Sequence, residues 1–400
     1  MNPVSKTQSS TFLAALEGQS KAWVEQGLRR QRRILDGPAD VRTAIAGQRA
    51  TTAFLSNDYL GLAADPELRE AVAEGARLWG AGAASSPLIS GHMRCHANAE
   101  EALADFTGHA AALLFITGYM ANLAVVSSLL GDPADAVFSD SLNHASLIDG
   151  CRLSRARIER YPHGDLATLA ERLEAVPARR RLIVTDAVFS MDGDSADLHG
   201  LHALAEQYDA LLLVDDAHGF GVFGPDGRGS LAAAGIRSER VILMGTLGKA
   251  AGLSGAFVAA SALIIEHLIQ HARSYVFSTA PAPALAYAIP TALDLIVGGE
   301  ARRAQLRLLR TRLAVLAKDW RYPLATFASP IVPIHIGGAV ETMQLAQGFA
   351  EQGVLLAGIR PPTVPVGASR LRISLSASHE TQDVDTLAQA ARTLGFEQEA

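Results

Sequence analysis

Short apolar runs recur through the middle of the chain, and stretches of helical period separate them. The runs occupy residues 111–116, 136–139, 182–186, 211–215, 241–245 and 256–260. Within them apolar side chains do not alternate with polar ones, so each strand needs cover on both faces. Between the runs, residues 119–130, 166–176 and 198–208 carry helical spacing. Such alternation predicts an α/β fold, a mostly parallel sheet with helices on both sides.

Before residue 51 and after residue 280 the pattern differs. Residues 11–35 read as one helix with a basic end formed by Arg29, Arg30, Arg32 and Arg33. Long helices over 282–297 and 301–320 lead into strand-like runs at 331–336, 354–359 and 370–375, a smaller α+β unit. The expected organisation is a helical N-terminal segment (1–50), a large domain (51–290) and a small C-terminal domain (291–400). Neither an internal repeat nor a low-complexity linker separates them, so a wide shared interface is expected.

Composition narrows the function classes. A formal net charge of -6 leaves no domain-wide basic excess for a nucleic-acid partner. Two cysteines, Cys95 and Cys151, cannot build a disulfide framework, which fits a reducing compartment. No run of apolar residues is long enough for a membrane span, and Met1–Ser10 lacks the apolar stretch of a signal peptide. A cytoplasmic protein is expected. Only four lysines occur (Lys6, Lys21, Lys249 and Lys318), against 31 arginines. Arginine stays protonated and cannot serve as an amine nucleophile. Of the four lysines, Lys249 alone sits among glycines and small residues.

Ligands of open α/β sheets bind beyond the carboxyl ends of the strands. There the sequence places Asp215, Asp216 and His218 after one run, Thr185, Asp186 and Ser190 after another, and Thr246 and Lys249 after a third. A carboxylate, an imidazole, hydroxyls and the isolated amine thus converge on one rim. Gly219–Gly224 matches a dinucleotide-binding spacing, but Pro225-Asp226-Gly227 follows where a helix should open. Gly248-Lys249 lacks both the first glycine and the Ser/Thr of a P-loop. His92, Cys95 and His96 form a single short cluster without a second pair, so no metal site is expected.

The motifs Phe189-Ser190-Met191-Asp192-Gly193-Asp194, Val214-Asp215-Asp216-Ala217-His218-Gly219 and Gly245-Thr246-Leu247-Gly248-Lys249 resemble those of the α-oxoamine synthases, fold-type-I enzymes dependent on pyridoxal 5'-phosphate (PLP). Asn57-Asp58-Tyr59-Leu60-Gly61-Leu62 and Asn143-His144-Ala145-Ser146 add to the likeness, which spans about residues 25–395. The resemblance implies a seven-stranded, mostly parallel large domain and a smaller C-terminal one. It also implies a reaction that joins an amino acid to an acyl thioester. Residues 359–365 and 370–375 are most similar to members that condense L-alanine with a pimeloyl thioester, carried on coenzyme A or a carrier protein. Sister members that use glycine, and a non-catalytic scaffold of the same fold, are the alternatives.

The resemblance also assigns roles. Lys249 holds the cofactor covalently and serves as the base, Asp215 pairs with the pyridinium nitrogen, and His144 lies against the ring. His218 and Ser190 stand near the phenolic oxygen. Gly118, Tyr119 and Thr246 receive the phosphate, joined by Thr279 from a partner subunit, which makes a homodimer with shared active sites. Arg372 anchors the substrate carboxylate, with Arg360 and Thr363 nearby and Arg32 toward the acyl substrate. Departures from the family pattern are Pro87 and few glycines in the 80–91 loop, alanines at 250 and 251, and a rearranged proline pair in Ala280-Pro281-Ala282-Pro283.

Overall fold

The computed structural model describes residues 11–38, 40–43, 51–325 and 327–397. The stretch Met1–Ser10, with Lys6, lies outside the described residues. Two short strands come first, β1 (Arg42–Thr43) and β2 (Thr51–Ala53), paired antiparallel. The large sheet follows: β3 (Ala111–Phe115), β4 (Ala136–Asp140), β5 (Arg157–Tyr161), β6 (Arg181–Asp186), β7 (Ala210–Asp215), β8 (Val241–Thr246) and β9 (Ala256–Ala260). Across it the order is β3-β9-β8-β7-β6-β4-β5. β9 runs antiparallel to β3 and β8, and the other pairs are parallel.

The two faces of this sheet explain its uniformly apolar strands. Leu182, Val184, Leu213, Ile242 and Met244 enter one core. Ile183, Leu212, Val214 and Leu243 enter the other. Each such side chain contributes roughly 1.5–3 kcal/mol by leaving water. Edge strand β5 carries no apolar run because most of its side chains reach water: Arg157, Ile158 and Arg160 are exposed, and Arg157 pairs with Glu159 at 2.6 Å. Charged side chains are a common protection of sheet edges.

Four further strands follow among the described residues: β10 (Ile331–Gly337), β11 (Val354–Leu355), β12 (Ala357–Ile359) and β13 (Ser369–Ser374). β13 lies between β10 and β12, antiparallel to both. The run expected as one strand over 354–359 divides at Leu356: β11 pairs with β2, and β12 with β13. Segment 51–59 is therefore stitched to residues near the C-terminus. Phe54 accepts from the Ser374 amide at 3.0 Å, and the Tyr59 carbonyl accepts from Ala377 N at 2.7 Å.

The expected N-terminal helix is shorter than its pattern. It runs over Thr11–Glu25 and stops before Gly27, whose φ of 68° lies in the left-handed region. The arginines at 29–33 follow in non-helical backbone. In the 80–91 loop, Pro87 opens a single π-helical turn, Pro87–Gly91, where its missing N–H costs nothing.

Candidate active site

Three neighbouring parallel strands end in carboxylates: Asp140 on β4, Asp186 on β6 and Asp215 on β7. Asp186 and Asp215 face each other in register, and both are buried. Burial, then the Asp215 charge, drives the Asp186 carboxyl well above the usual range. Asp186 accepts from the His144 amide at 2.7 Å, which fixes the turn into the helix Ala145–Leu153.

Asp215 is fastened at both oxygens. One accepts from Asn122 Nδ2 at 2.7 Å, the other from the Ala217 amide at 3.0 Å. Asn122 also donates to Ser146 Oγ at 2.8 Å, and that hydroxyl lies 2.7 Å from His144 Nδ1. Both Asn122 bonds are buried, and Asn122 Oδ1 alone among the group's buried side-chain atoms has no partner among the described residues. The surrounding protein lowers the His144 pKa, while Asp215 opposes the shift.

From β8 the chain turns through Gly248 to Lys249. Burial brings the lysine down to about 8, against the pull of Asp215 and Asp186. Its Nζ lies 2.7 Å from His218 Nε2. On the far side of that ring, Nδ1 is 2.6 Å from the Tyr59 hydroxyl. Tyr59 reaches Asn57 Oδ1 at 3.2 Å, and the same oxygen accepts from Arg372 at 2.9 Å. A hydrogen-bonded chain thus links Lys249 to Arg372.

The helix Gly118–Leu129 points its N-terminus at this rim. Thr117 takes the Met120 amide on its hydroxyl at 3.2 Å and the Ala121 amide on its carbonyl at 3.1 Å. The amides of Gly118 and Tyr119 precede the first intrahelical bonds, an arrangement suited to an anion. The Tyr119 hydroxyl donates to Asp149. Thr246 Oγ1 donates to the Gly255 carbonyl at 3.1 Å and accepts from the Gly248 amide at 3.3 Å. Ser190 lies on the turn between Phe189 and Asp194, which is fixed twice: His163 bridges Asp140 and Asp194, and Arg370 pairs with Asp192. Thr279 is exposed.

Other expected residues gather elsewhere. Arg32 lines a cleft of about 1150 Å³ with Arg29, Arg30, Arg33 and Arg360. Arg360 donates to the Arg29 carbonyl at 2.5 Å, and Arg30 donates to Thr363 Oγ1 at 2.9 Å. Arg360 and Thr363 are thus tied to the basic segment and do not join the Lys249–Arg372 chain. His92 pairs with Glu100 at 2.9 Å, while His96 Nδ1 caps its helix by accepting from the Met93 amide at 3.1 Å.

The donor set fits PLP. A buried carboxylate stands where a pyridinium could pair, a desolvated amine where a carbonyl carbon could bond, and a helix N-terminus where a phosphate could rest. Arg372 Nε is buried without a partner among the described residues, as a carboxylate site requires.

The family model for class I and II aminotransferases matches residues 51–390. The 8-amino-7-oxononanoate synthase of Nitrosospira multiformis is 54% identical over 374 residues, 94% of each chain. That of Herminiimonas arsenicoxydans is 53% identical over 383 residues, covering 94% of this chain and 96% of that one. The chain belongs to the 8-amino-7-oxononanoate synthase family, within the class I and II aminotransferases. Among solved structures, a Sphingomonas wittichii serine palmitoyltransferase superposes with a TM-score of 0.90 at 31% identity, covering 98% of this chain and all of that one. The Francisella tularensis 8-amino-7-oxononanoate synthase gives 0.73 at 30% identity, over 86% of this chain and 98% of its own. Members of this family are PLP enzymes, and PLP is the cofactor of this chain.

Proposed function

We propose that this protein condenses L-alanine with a pimeloyl thioester, releasing carbon dioxide and the thiol carrier, to give 8-amino-7-oxononanoate for biotin synthesis. The observation that carries the reading is the chain from Lys249 through His218, Tyr59 and Asn57 to Arg372. It holds a desolvated amine and a carboxylate-binding guanidinium in one fixed arrangement.

Bound PLP supplies an electron sink for charge developing on the amino acid's α-carbon. Lys249 is the attachment amine and then the base that takes the α-proton; its pKa of about 8 keeps part of it free of that proton near neutrality. Asp215 pairs with the pyridinium nitrogen, and its two fastened oxygens leave it little freedom to turn. His144 would cover the ring, while His218 and Ser190 would attend the phenolic oxygen. The amides of Gly118 and Tyr119 receive the phosphate, with Thr246 beside them. Arg372 orients alanine by its carboxylate. Arg32, Arg360 and Thr363 serve the acyl substrate, whose anionic carrier suits the arginine-lined cleft.

A second subunit completes the site through Thr279. Next to it Phe277 is 71% exposed, and on the adjoining Pro87–Gly91 turn Ile89 is 81% exposed. Apolar surface of this kind is suited to cover by a partner. Buried Cys95 and Cys151, free of disulfides, agree with a cytoplasmic location.

Titrating the PLP-loaded protein with L-alanine and with glycine, while recording visible absorption, tests the reading. Alanine should perturb the cofactor band at lower concentration, and pimeloyl thioester should then give carbon dioxide and free thiol. Preference for glycine would transfer the chain to a sister activity.

A further inference from the structure

Tyr59 is completely buried, and in the reaction as described it touches neither substrate nor cofactor. Its hydroxyl lies between His218 Nδ1 at 2.6 Å and Asn57 Oδ1 at 3.2 Å. Proton accounting fixes the direction of every bond. An ammonium at Lys249 has donors only, so the Nε2 that it meets at 2.7 Å is an acceptor. His218 is neutral, because burial and the neighbouring Lys249, Arg372 and His144 drive its pKa well down. Its single proton then sits on Nδ1 and is donated to the Tyr59 oxygen. The phenolic proton is left for Asn57 Oδ1, where Arg372 also donates.

Loss of a proton from Lys249 releases this constraint. A free amine keeps N–H donors but gains a lone pair, so Nε2 can then carry the hydrogen, with Nδ1 as the acceptor and Tyr59 donating to it. One proton leaves for solvent, and only N–H and O–H bonds change. A hydroxyl serves both arrangements because it donates and accepts. Phenylalanine serves neither.

We propose that Tyr59 is a positioning residue that lets His218 exchange tautomers in step with the protonation of Lys249, so that the imidazole offers a lone pair to the ammonium and an N–H to the free amine. The charged groups facing the lysine are Asp215, Asp186 and Arg372; those facing the histidine are Lys249, Arg372 and His144. The proposal rests on Lys249 as the reactive amine, and on no particular amino acid or acyl donor.

Nitrogen-15 NMR of histidine-labelled, cofactor-free protein decides it, with the His218 signals assigned through His218→Gln. In the wild type, the nitrogen without hydrogen should be Nε2 well below the lysine's pKa of about 8 and Nδ1 well above it. One tautomer on both sides of that pH overturns the proposal, whatever the fate of any variant. In Tyr59→Phe the low-pH tautomer should persist, held by the ammonium, while above the lysine's pKa the clean switch should give way to a mixture. Capture of pyridoxal by Lys249 should also slow by roughly 5-fold, the worth of one net hydrogen bond. A variant that switches like the wild type also overturns it. If wild-type Lys249 captures no pyridoxal, the functional reading fails, while the NMR result still decides the role of Tyr59.

Discussion

His163 and Asp194 meet at 2.7 Å, which fastens the end of the turn that carries Ser190 to the edge of the large sheet. Asp140 holds the other ring nitrogen at 3.1 Å. Hydrogen bonds to Asp140 and then Asp194 raise the His163 pKa from 6.5 to about 10. A raised histidine pKa stabilises the folded state fully below the unfolded value and loses that contribution as pH climbs through the folded one. The melting temperature of His163→Gln should therefore lie below that of the wild type at pH 6.5, and the gap should close by about pH 10. A constant gap across that range contradicts the ion-bridge account.

Burial lowers Lys249 to about 8, so the free amine grows as pH rises through that value. Uptake of PLP by cofactor-free protein, followed by visible absorption, should accelerate over the same range and then level off. Lys249→Ala should lose the covalent absorption band, with turnover reduced on the order of 10²–10⁴-fold. Retained turnover in that variant removes the lysine from the mechanism.

Arg372 gives one N–H to Asn57 and keeps Nε buried without a partner among the described residues. Lysine at this position supplies charge without the planar fork. Arg372→Lys should raise the KM for alanine by roughly 10-fold or more, the worth of one charged hydrogen bond. Thioester affinity should stay nearly unchanged in steady-state kinetics.

Two glycines near the lysine should respond differently to alanine. Gly252 has a φ of 68°, and an added Cβ would stand 2.5 Å from the Leu62 carbonyl carbon. At Gly248 the nearest atom would be 3.7 Å away. Gly252→Ala should cost about 1–3 kcal/mol in chemical denaturation. Gly248→Ala should leave stability within about 0.5 kcal/mol of the wild type.

The central sheet was legible because six of its strands are buried on both faces and so are apolar throughout. Edge strand β5 left no such mark, since Arg157, Ile158 and Arg160 are exposed. Lys249, Asp215 and His218 could be read from their positions just beyond strand ends. Asn57 and Tyr59 belong to a recognisable motif, yet their contacts with Arg372 and His218 span 315 and 159 residues, and no local pattern encodes those pairings. Asn122 left a fainter signal, a wholly buried amide in the otherwise largely apolar helix Gly118–Leu129. The basic segment at 29–33 was read as helix from periodicity that continued past the point where Gly27 ends it.

The stitching of segment 51–59 to the C-terminal strands sets a timetable for biosynthesis. Lys249 leaves the ribosome long before Ser374 and Ala377, the residues that bond to Phe54 and Tyr59. Until those last strands emerge, Tyr59 lacks its carbonyl tether and Asn57 lacks Arg372. Lys249 is thus made early but becomes supported only after β13 has emerged. Chains released before β13 carry the lysine without the support that fixes its histidine.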